Sequence, residues 1–249
     1  DVYLERFIPH ARHIEVQILG DGTEVTHLWE RECTIQRRHQ KLMEIAPSPS
    51  LSSGMRERLI EDALTLAREI GYDNIGTFEF LVDADREGNY AFIEANARLQ
   101  VEHTVTEQVT GVDIVQSQPR LAGGETLADL GLDDPALARP RGYAIQCRVN
   151  METMDATGAT RPSGGTLAAF EPPTGPGVRV DTYGYSGYTT SPHFDSLLAN
   201  PMLGRSAEEV SPGLRRIRQQ AHVVFYLADE DHILIVRVLH HRMDFDRYL

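Results

Sequence analysis

Several features that would assign the chain to a class at once are scarce or absent. Its two cysteines, Cys33 and Cys147, lie far apart and lack the spacing of metal ligands, which favours buried thiols in a reducing compartment over a disulfide framework. No apolar run approaches the ~20 residues of a membrane-spanning helix, and no signal peptide opens the sequence. We therefore expect a cytoplasmic protein that does not cross a membrane.

Positive charge is also scarce. The 24 lysines and arginines are outnumbered by 37 aspartates and glutamates, and the net charge of −13 disfavours binding to nucleic acid or to an anionic membrane. Residues 201–249 are the exception, because their seven arginines balance seven acidic residues. Lysine occurs once, at Lys41. Because an ammonium and a guanidinium bind anions differently, this single lysine is a candidate site residue.

The most informative stretch for local structure is residues 76–107. Residues 76–83 and 90–96 alternate in side-chain character and are rich in aromatic and β-branched residues. A polar segment with a glycine separates them. This pattern predicts a β-hairpin.

The hairpin carries two glutamates and an asparagine that could bind a metal. If its turn is centred between Arg86 and Glu87, Glu79 and Glu94 lie directly opposite each other, and their carboxylates repel unless a cation lies between them. With Asn96 just beyond, they form an oxygen-only ligand set that suits Mg²⁺ or Mn²⁺ carrying nucleotide phosphates. The alternative interpretation is a solvated acidic face without a ligand.

The rest of the chain, 249 residues with 41% hydrophobic content, is long enough for one or two domains with a sizeable core. A helix is predicted over residues 54–70, capped by Ser53 and followed by Gly71. Further strands are predicted at residues 12–19, 24–29, 142–150, 221–226 and 232–239.

A second helix is predicted to follow the hairpin. Thr104 and Glu107 have the spacing of a capping box, and the helix would run towards Ala122. Pro119 lies inside it, where proline costs about 3 kcal/mol because it removes a hydrogen bond and clashes with the preceding turn.

Two runs of residues resemble one known family. Residues 94–103, Glu-Ala-Asn-Ala-Arg-Leu-Gln-Val-Glu-His, are similar to the metal and bicarbonate segment of biotin-dependent carboxylases, which belong to the ATP-grasp superfamily. Residues 32–41, Glu-Cys-Thr-Ile-Gln-Arg-Arg-His-Gln-Lys, are nearly identical to another segment of that family. The resemblance runs from Asp1 to about Ala199. Other ATP-grasp ligases, such as carbamoyl-phosphate or purine-pathway enzymes, share E-x-N, but the continuation R-x-Q-V-E-H disfavours them.

The resemblance implies an α+β fold with three parts. Residues 1–130 would be an incomplete ATP-grasp domain, the C-terminal half of that fold with an antiparallel sheet and packed helices. Residues 139–199 would be part of the biotin carboxylase C-terminal domain. From about Pro201 the sequence instead resembles the C-terminal half of a ParE/RelE-type toxin, and residues 201–249 are predicted to be a small β-rich toxin-like tail.

The activity implied by the resemblance is ATP- and metal-dependent carboxylation of biotin with bicarbonate, as in acyl-CoA, acetyl-CoA or pyruvate carboxylases. The implied partners are a biotin carboxyl carrier protein or domain and a carboxyltransferase, and the family is commonly homodimeric. The family's amino-terminal domain and glycine-rich lid would precede Asp1, so we expect a fragment with little activity alone. The alternative function is a toxin-like binding module of a type II toxin–antitoxin system, carried by residues 201–249.

The resemblance also implies a role for individual residues. Glu102 would be the general base that removes the bicarbonate proton, Arg98 would hold the bicarbonate, and Lys41 and Arg148 would neutralise developing negative charge. The metal ligands would be Glu79, Glu94 and Asn96. The bicarbonate and biotin site would consist of Lys41, Arg98, Gln100, Val101, Glu102 and Arg148. The ATP site would consist of Glu5, Arg6, Ile8, His13, Gln36, His39, Glu79 and Glu94, with Glu15 matching a further position there.

Without the resemblance, several of these residues have a simpler interpretation. Glu5 and Arg6 would be an exposed charge pair, and Arg98 with Glu102 would be a partly buried ion pair that ties down a loop. The adjacent His240 and His241 are more typical of a solvated strand end than of a metal or RNA-cleaving cluster.

Overall fold

A computed structural model describes residues 6–37, 40–86, 88–134, 139–156, 159–190, 197–204, 214–219, 222–228 and 233–240. The predicted site residues Glu5 and His39 lie outside these ranges, and so does His241, which is predicted to belong to a solvated strand end. The chain forms two compact units, Asp1–Gly204 and Arg205–Leu249. Within the ranges given, none of the helices combines the length and the apolar character that a transmembrane span requires.

The first unit is built around a nine-stranded antiparallel sheet. The strand order is β11-β13-β6-β3-β2-β1-β4-β5, with β7 paired to β13, and the short pairs β8–β9 and β10–β12 form two further sheets. In chain order the strands are β1 (Ala11–Asp21), β2 (Val25–Arg37), β3 (Gln40–Ala46), β4 (Asp73–Asp83), β5 (Tyr90–Asn96), β6 (Ala144–Cys147), β7 (Val149–Asn150), β8 (Glu152–Met154), β9 (Thr160–Pro162), β10 (Gly165–Thr166), β11 (Val178–Thr182), β12 (Thr189–Thr190) and β13 (Leu197–Gly204).

The central strand β1 has two chemically different faces, both of them buried. Ile14, Val16 and Ile18 point into an apolar core, whereas Glu15 and Gln17, on the other face, are buried polar residues. Because successive side chains of a strand point to opposite sides, this alternation gives the sheet a packing face and a second face, called the polar face, which is polar at Glu15 and Gln17 and joins a second apolar cluster at Leu19. The candidate site lies on the polar face.

Helix α1 (Ser53–Glu69) covers the packing face. Its buried residue Leu59 shares one core with Phe78 and Phe80 of β4. The predicted helix is confirmed to within one residue at each end. Its predicted cap is wrong by one position, because the residue with extended backbone angles before the first turn is Ser52, whose Oγ accepts a hydrogen bond from the Met55 amide at 3.3 Å.

The single helix predicted after the hairpin is in fact two, α2 (His103–Thr110) and α3 (Ile114–Ala122). Gly111 ends α2 in the left-handed conformation, at φ +78°, which glycine adopts without steric cost. The predicted capping box is also wrong: Glu107 Oε1 accepts a hydrogen bond from the Ile114 amide at 2.8 Å and so caps the following helix. Pro119 lies inside α3, as predicted.

The hairpin of β4 and β5 is confirmed, and Glu79 lies directly opposite Glu94. The register shifts immediately beyond this pair, because Phe80 lies opposite Phe92. Ile93 is therefore the extra residue of a β-bulge, which separates the register of the glutamate pair from that of the residues nearer the turn.

The strand predicted over residues 142–150 is interrupted at Arg148, between β6 and β7. β6 pairs with β3, so this segment extends the same sheet as the preceding strands. β13 crosses Pro201, where the toxin-like tail is predicted to begin.

The second unit contains a three-stranded antiparallel sheet. Its strands are β14 (Leu214–Gln219), β15 (His222–Ala228) and β16 (Ile233–His240), paired in that order. The two strands predicted around residues 229–231 are thereby confirmed as a hairpin.

Candidate functional site

Four charged side chains lie in one row across the polar face of the sheet. Glu15 on β1 is opposite Arg31 on β2 and opposite Glu79 on β4, and Glu79 is opposite Glu94 on β5. Residues aligned across a ladder in this way share one face of the sheet. One cation among three carboxylates leaves a surplus of negative charge at this point.

Lys41 compensates much of that charge. It lies on β3, and its Nζ donates to the carboxylates of Glu15, Glu79 and Glu102, at 3.2 Å to Glu79 and 2.6 Å to Glu102. Burial would lower the pKa of Lys41, but the charges of Glu15 and Glu102 outweigh it and raise the pKa. The only lysine of the chain is therefore held charged between three buried carboxylates.

Cations and anions alternate along a continuous chain of hydrogen bonds. Arg148 donates from Nη2 to Glu102 Oε2 at 2.9 Å and from Nε to Glu44 Oε1 at 2.6 Å. At the opposite end, Arg31 donates from Nε to Glu15 Oε2 at 2.8 Å. The formal charges cancel, which reduces the cost of burying each group. The complete order is Glu44, Arg148, Glu102, Lys41, Glu15 and Arg31.

Arg31 is fully buried and uses its whole guanidinium to join separate elements. Besides Nε, both terminal nitrogens donate two hydrogen bonds each, so all five N–H groups have acceptors. The additional acceptors are Gln17 of β1 at 2.9 Å, Thr77 of β4 at 3.0 Å, Gln100 at 3.0 Å and Thr106 of α2 at 3.2 Å. A guanidinium saturated in this way fixes the position of the polar face.

Burial and the neighbouring cations shift the pKa values of the acidic groups in opposite directions. Burial would raise the pKa of Glu79, but the hydrogen bond from His13 and the charge of Lys41 outweigh it and lower the pKa to about 2. Burial would also raise the pKa of Glu102, but three surrounding cations lower it. At Glu44 burial prevails over its arginine partner, and the pKa rises to about 7.

His13 connects Glu79 to the hairpin of β2 and β3. Its Nε2 lies 2.6 Å from Glu79 Oε2, and its Nδ1 lies 2.9 Å from Gln36 Nε2. Because an amide nitrogen only donates, Nδ1 is the acceptor and Nε2 carries the proton that is donated to Glu79. Three residues of the predicted nucleotide site thus form one hydrogen-bonded group.

The predicted metal ligands also converge. Asn96 Nδ2 donates to Glu79 Oε1 at 2.9 Å and to Glu94 Oε1 at 3.1 Å. Two carboxylates that meet at one donor, with an amide oxygen on the same side chain, fit a hard divalent cation such as Mg²⁺ or Mn²⁺. A second group of possible ligand atoms, from His13, Glu15 and Glu79, lies within 4.8 Å of one another and shares only Glu79 with the predicted set.

Arg98 is a predicted site residue that lies outside the charge network. Its side chain is exposed and donates to the Leu99 carbonyl at 3.2 Å and to Asn96 Oδ1 at 3.5 Å. The alternative of an ion pair between Arg98 and Glu102 is wrong, because the hydrogen-bond partners of Glu102 are a lysine and another arginine. Gln100, by contrast, is buried and donates to Glu79 at 2.9 Å.

The remaining predicted residues are less constrained. Val101 is half-buried in the turn before α2, Ile8 is half-buried and Arg6 is exposed. All three lie outside the alternating chain of charges.

Sequence reasoning missed Arg31 and Glu44. Both lie on strands whose two faces are buried, and a charged residue there has no local signature that distinguishes it from an exposed one. The available signal was the acidic and basic run Glu30-Arg31-Glu32 inside a strand with apolar neighbours on either side. Three consecutive charges in a strand require that at least one faces the protein interior if the strand is central.

Two protein-family models match the chain. The model of the carbamoyl-phosphate synthase L chain, ATP binding domain, matches residues 1–130, and the model of the biotin carboxylase C-terminal domain matches residues 146–223. The second match extends beyond Pro201 into the segment that resembles a toxin, and the toxin-like character of residues 201–249 stays a prediction.

Individual relatives lead to the same family. Pyruvate carboxylase 1 of Caenorhabditis elegans is 51% identical over 199 residues, which are 79% of this chain and 16% of the relative. The solved biotin carboxylase domain of a single-chain bacterial carboxylase is 55% identical, with a TM-score of 0.74 over 82% of this chain and 46% of that one.

A third relative was solved with ligands. The biotin carboxylase domain dimer of 2-oxoglutarate carboxylase from Hydrogenobacter thermophilus, in complex with MgADP, ADP and bicarbonate, is 45% identical, with a TM-score of 0.73 over 80% of this chain and 42% of that one. The chain spans less than half the length of each of these three relatives.

The predicted α+β fold of the ATP-grasp type is confirmed by the family match and by the solved relatives. More than half of the sequence lies within the first family model, and the second model describes the C-terminal domain of biotin carboxylases. The chain belongs to the ATP-grasp family of the carbamoyl-phosphate synthase L chain ATP-binding domain, and within it to the biotin carboxylases.

Proposed function

We propose that the chain takes part in the ATP- and metal-dependent carboxylation of biotin with bicarbonate, as the biotin carboxylase component of an acyl-CoA or pyruvate carboxylase. The observation that carries this proposal is the position of Lys41 Nζ between the carboxylates of Glu15, Glu79 and Glu102. A divalent cation bound by Glu79 would supply positive charge there. Lys41 would then be free to turn towards a phosphate or bicarbonate anion.

The metal and nucleotide roles follow the donor types. Glu79, Glu94 and Asn96 would hold Mg²⁺ or Mn²⁺, which when bound neutralises the phosphate oxygens of ATP. Their convergence on one point supports this assignment. The nucleotide itself would be bound by Glu5, Arg6, Ile8, His13, Gln36, His39, Glu79 and Glu94.

Glu102 would act as the general base towards bicarbonate. The surrounding cations lower its pKa and so make it a weak base while Lys41 remains in contact. Movement of Lys41 towards a substrate anion would remove one of these cations and raise the pKa of Glu102. Arg98, Gln100, Val101 and Arg148 would complete the bicarbonate and biotin site, and the exposed guanidinium of Arg98 is free to fold over an anion.

The assembly that this function requires is also a proposal. A biotin carboxyl carrier protein or domain would deliver biotin, and a carboxyltransferase would use the product, in a homodimeric complex in the cytoplasm. Two free thiols and a net charge of −13 are in keeping with that compartment and with the absence of nucleic acid as a partner. We assign the ATP-grasp part to residues 1–130, the C-terminal domain to 139–199 and the tail to 201–249.

The test is ATP hydrolysis that depends on both bicarbonate and free biotin, measured on the purified chain after circular dichroism has established that it is folded. We expect slow turnover that is lost in Lys41→Ala and Glu102→Gln and retained in Glu61→Gln, which alters an exposed glutamate of α1. Turnover that does not require bicarbonate and biotin, or no turnover from a folded chain, would contradict the proposal.

A further inference from the structure

We propose that Glu44 is a positioning residue, which fixes the guanidinium of Arg148 so that its Nη2 faces Glu102. The inference rests on the proposed function, because it assigns Arg148 and Glu102 to the carboxylation site. It adds a residue on β3 that lies outside the row of Glu15, Glu79 and Glu94 and whose carboxylate accepts a hydrogen bond from Arg148.

Arg148 is held at three points. Its backbone amide donates to the Leu42 carbonyl of β3 at 2.9 Å, its Nε donates to Glu44 Oε1 at 2.6 Å, and its Nη2 donates to Glu102 Oε2 at 2.9 Å. The guanidinium is planar, so two anchors on different nitrogens determine the orientation of the whole group. Without the anchor on Nε, the group could rotate about its remaining contact with Glu102.

Burying Glu44 destabilises the fold, which is unexpected for a residue that has only a packing role. It is fully buried, and within the described ranges its Oε2 has no hydrogen-bond partner. Directly opposite on β6, the buried amide nitrogen of Gln146 also lacks a partner there. Because an unsatisfied buried carboxylate oxygen destabilises a fold, a glutamate at this position indicates a role other than packing.

The charges around Glu44 explain why its ionisation matters near neutral pH. Burial raises the pKa of Glu44 to about 7, the charge of Arg148 opposes this, and Glu102 and Glu15 raise it further. The thiols of Cys33 and Cys147 lie near enough to interact with the charge of Glu44, and because burial raises the pKa of both thiols, they stay neutral. Above pH 7 the pair with Arg148 is ionic, and below it the carboxyl group is neutral and the anchor weaker.

The experiment is NMR of the full chain with ¹⁵N-labelled arginine. The Nε–H signal of Arg148 is assigned by its loss in Arg148→Lys. In the unaltered chain we expect this signal to shift between pH 6 and 8, with a midpoint near 7. In Glu44→Gln we expect no such shift. An Nε–H signal at the same position at pH 8 in the unaltered chain and in Glu44→Gln would overturn the proposal. Glu44→Asp replaces Glu44→Gln in this comparison if the amide variant does not fold.

Turnover provides the second readout. Glu44→Gln should lower kcat by up to about 100-fold with little change in the KM for ATP, because it displaces a group at the reacting centre. In the unaltered chain kcat should fall below pH 7 as Glu44 takes up a proton, and this fall should be absent in Glu44→Gln. Glu30→Gln is the matched control. Glu30 is equally buried, accepts from the Nε of Arg56 at 2.8 Å and has an unpartnered Oε2 within the described part of the chain. It lies outside the alternating chain of charges from Glu44 to Arg31.

The two readouts separate failure of this inference from failure of the proposed function. If neither chain hydrolyses ATP but the Arg148 signal titrates only when Glu44 is present, the proposed function fails and the positioning contact stands. If the chains turn over with the same pH profile, Glu44 does not position Arg148 for the reaction, and the inference is overturned while the function stands.

Discussion

Glu79 and Glu94 lie directly opposite each other on adjacent strands, and the amide nitrogen of Asn96 bridges their carboxylates at 2.9 and 3.1 Å. A cross-strand pair of like charges destabilises a sheet unless something between them is positive. The amide supplies only a partial positive charge between them, and we propose that a divalent cation binds at this pair.

We predict that the chain binds Mn²⁺ at this pair, and that Glu94→Gln weakens binding at least about tenfold because it removes an anionic oxygen ligand. The measurement is the electron paramagnetic resonance signal of free Mn²⁺ during titration. The control variant Glu125→Gln alters a carboxylate that pairs with Arg120 away from the site, and it should leave the affinity unchanged. Equal affinity in Glu94→Gln would assign the metal to other residues.

The stability of the fold should fall in acid because of Glu79. Its pKa is lowered from near 4.5 to about 2, so the native state holds the ionised form and the unfolded chain takes up a proton first. The associated stability is fully present above about pH 4.5 and is lost as the pH falls towards 2, by about 3 kcal/mol in total. Urea unfolding at pH 5 and pH 2.5 measures this loss, and Glu79→Gln should lose less than the unaltered chain over the same interval.

The stability of the fold should also depend on pH through His27, at a higher pH than through Glu79. Burial lowers its pKa from 6.5 to about 4, and its Nδ1 accepts the Trp29 amide at 3.0 Å. The unfolded chain therefore binds a proton that the native state does not, and stability falls as the pH drops from 6.5 towards 4, by up to about 3 kcal/mol. His27→Asn keeps an acceptor but cannot titrate. A slope that persists unchanged in this variant would show that another group causes it.

Two glycines of the first unit should respond to alanine with opposite signs. A Cβ on Gly76 would lie 1.8 Å from Tyr72 Oη and 2.9 Å from the Asn96 carbonyl oxygen, so Gly76→Ala should destabilise by about 1–3 kcal/mol. A Cβ on Gly54, within α1, would have no heavy atom within 4 Å, and Gly54→Ala should stabilise by roughly 0.5–1 kcal/mol. Denaturant unfolding of both variants checks this. Similar effects of the two would contradict the predicted crowding at Gly76.

The elements predicted from alternation and helical periodicity are those in which neighbouring residues carry the signal. The β4–β5 hairpin and α1 were predictable because their apolar residues repeat at the period of a strand or a helix. The break between α2 and α3 was missed although the sequence carries both signals: Gly111, in the left-handed conformation, ends α2, and Asp113, which accepts a hydrogen bond from the Gln116 amide, caps α3.

The candidate site was partly predictable. Lys41 is distinctive in composition, and Glu79 and Glu94 are paired by the geometry of one hairpin, which is short enough to be inferred from the chain itself. Arg31 and Glu44 were missed because their partners are distant in sequence: Glu44 meets Arg148 over a separation of 104 residues.

The amino-acid pattern therefore determined the local structure. It fixed which segments are strands and helices and which face of each is apolar. The alternating chain of charges from Glu44 to Arg31 was decided only in the tertiary structure. A strand can place its polar residues on one face, but the strand order and the register determine which charges meet there. Burial then determines their ionisation, since it raises the pKa of Glu44 while nearby cations lower that of Glu102.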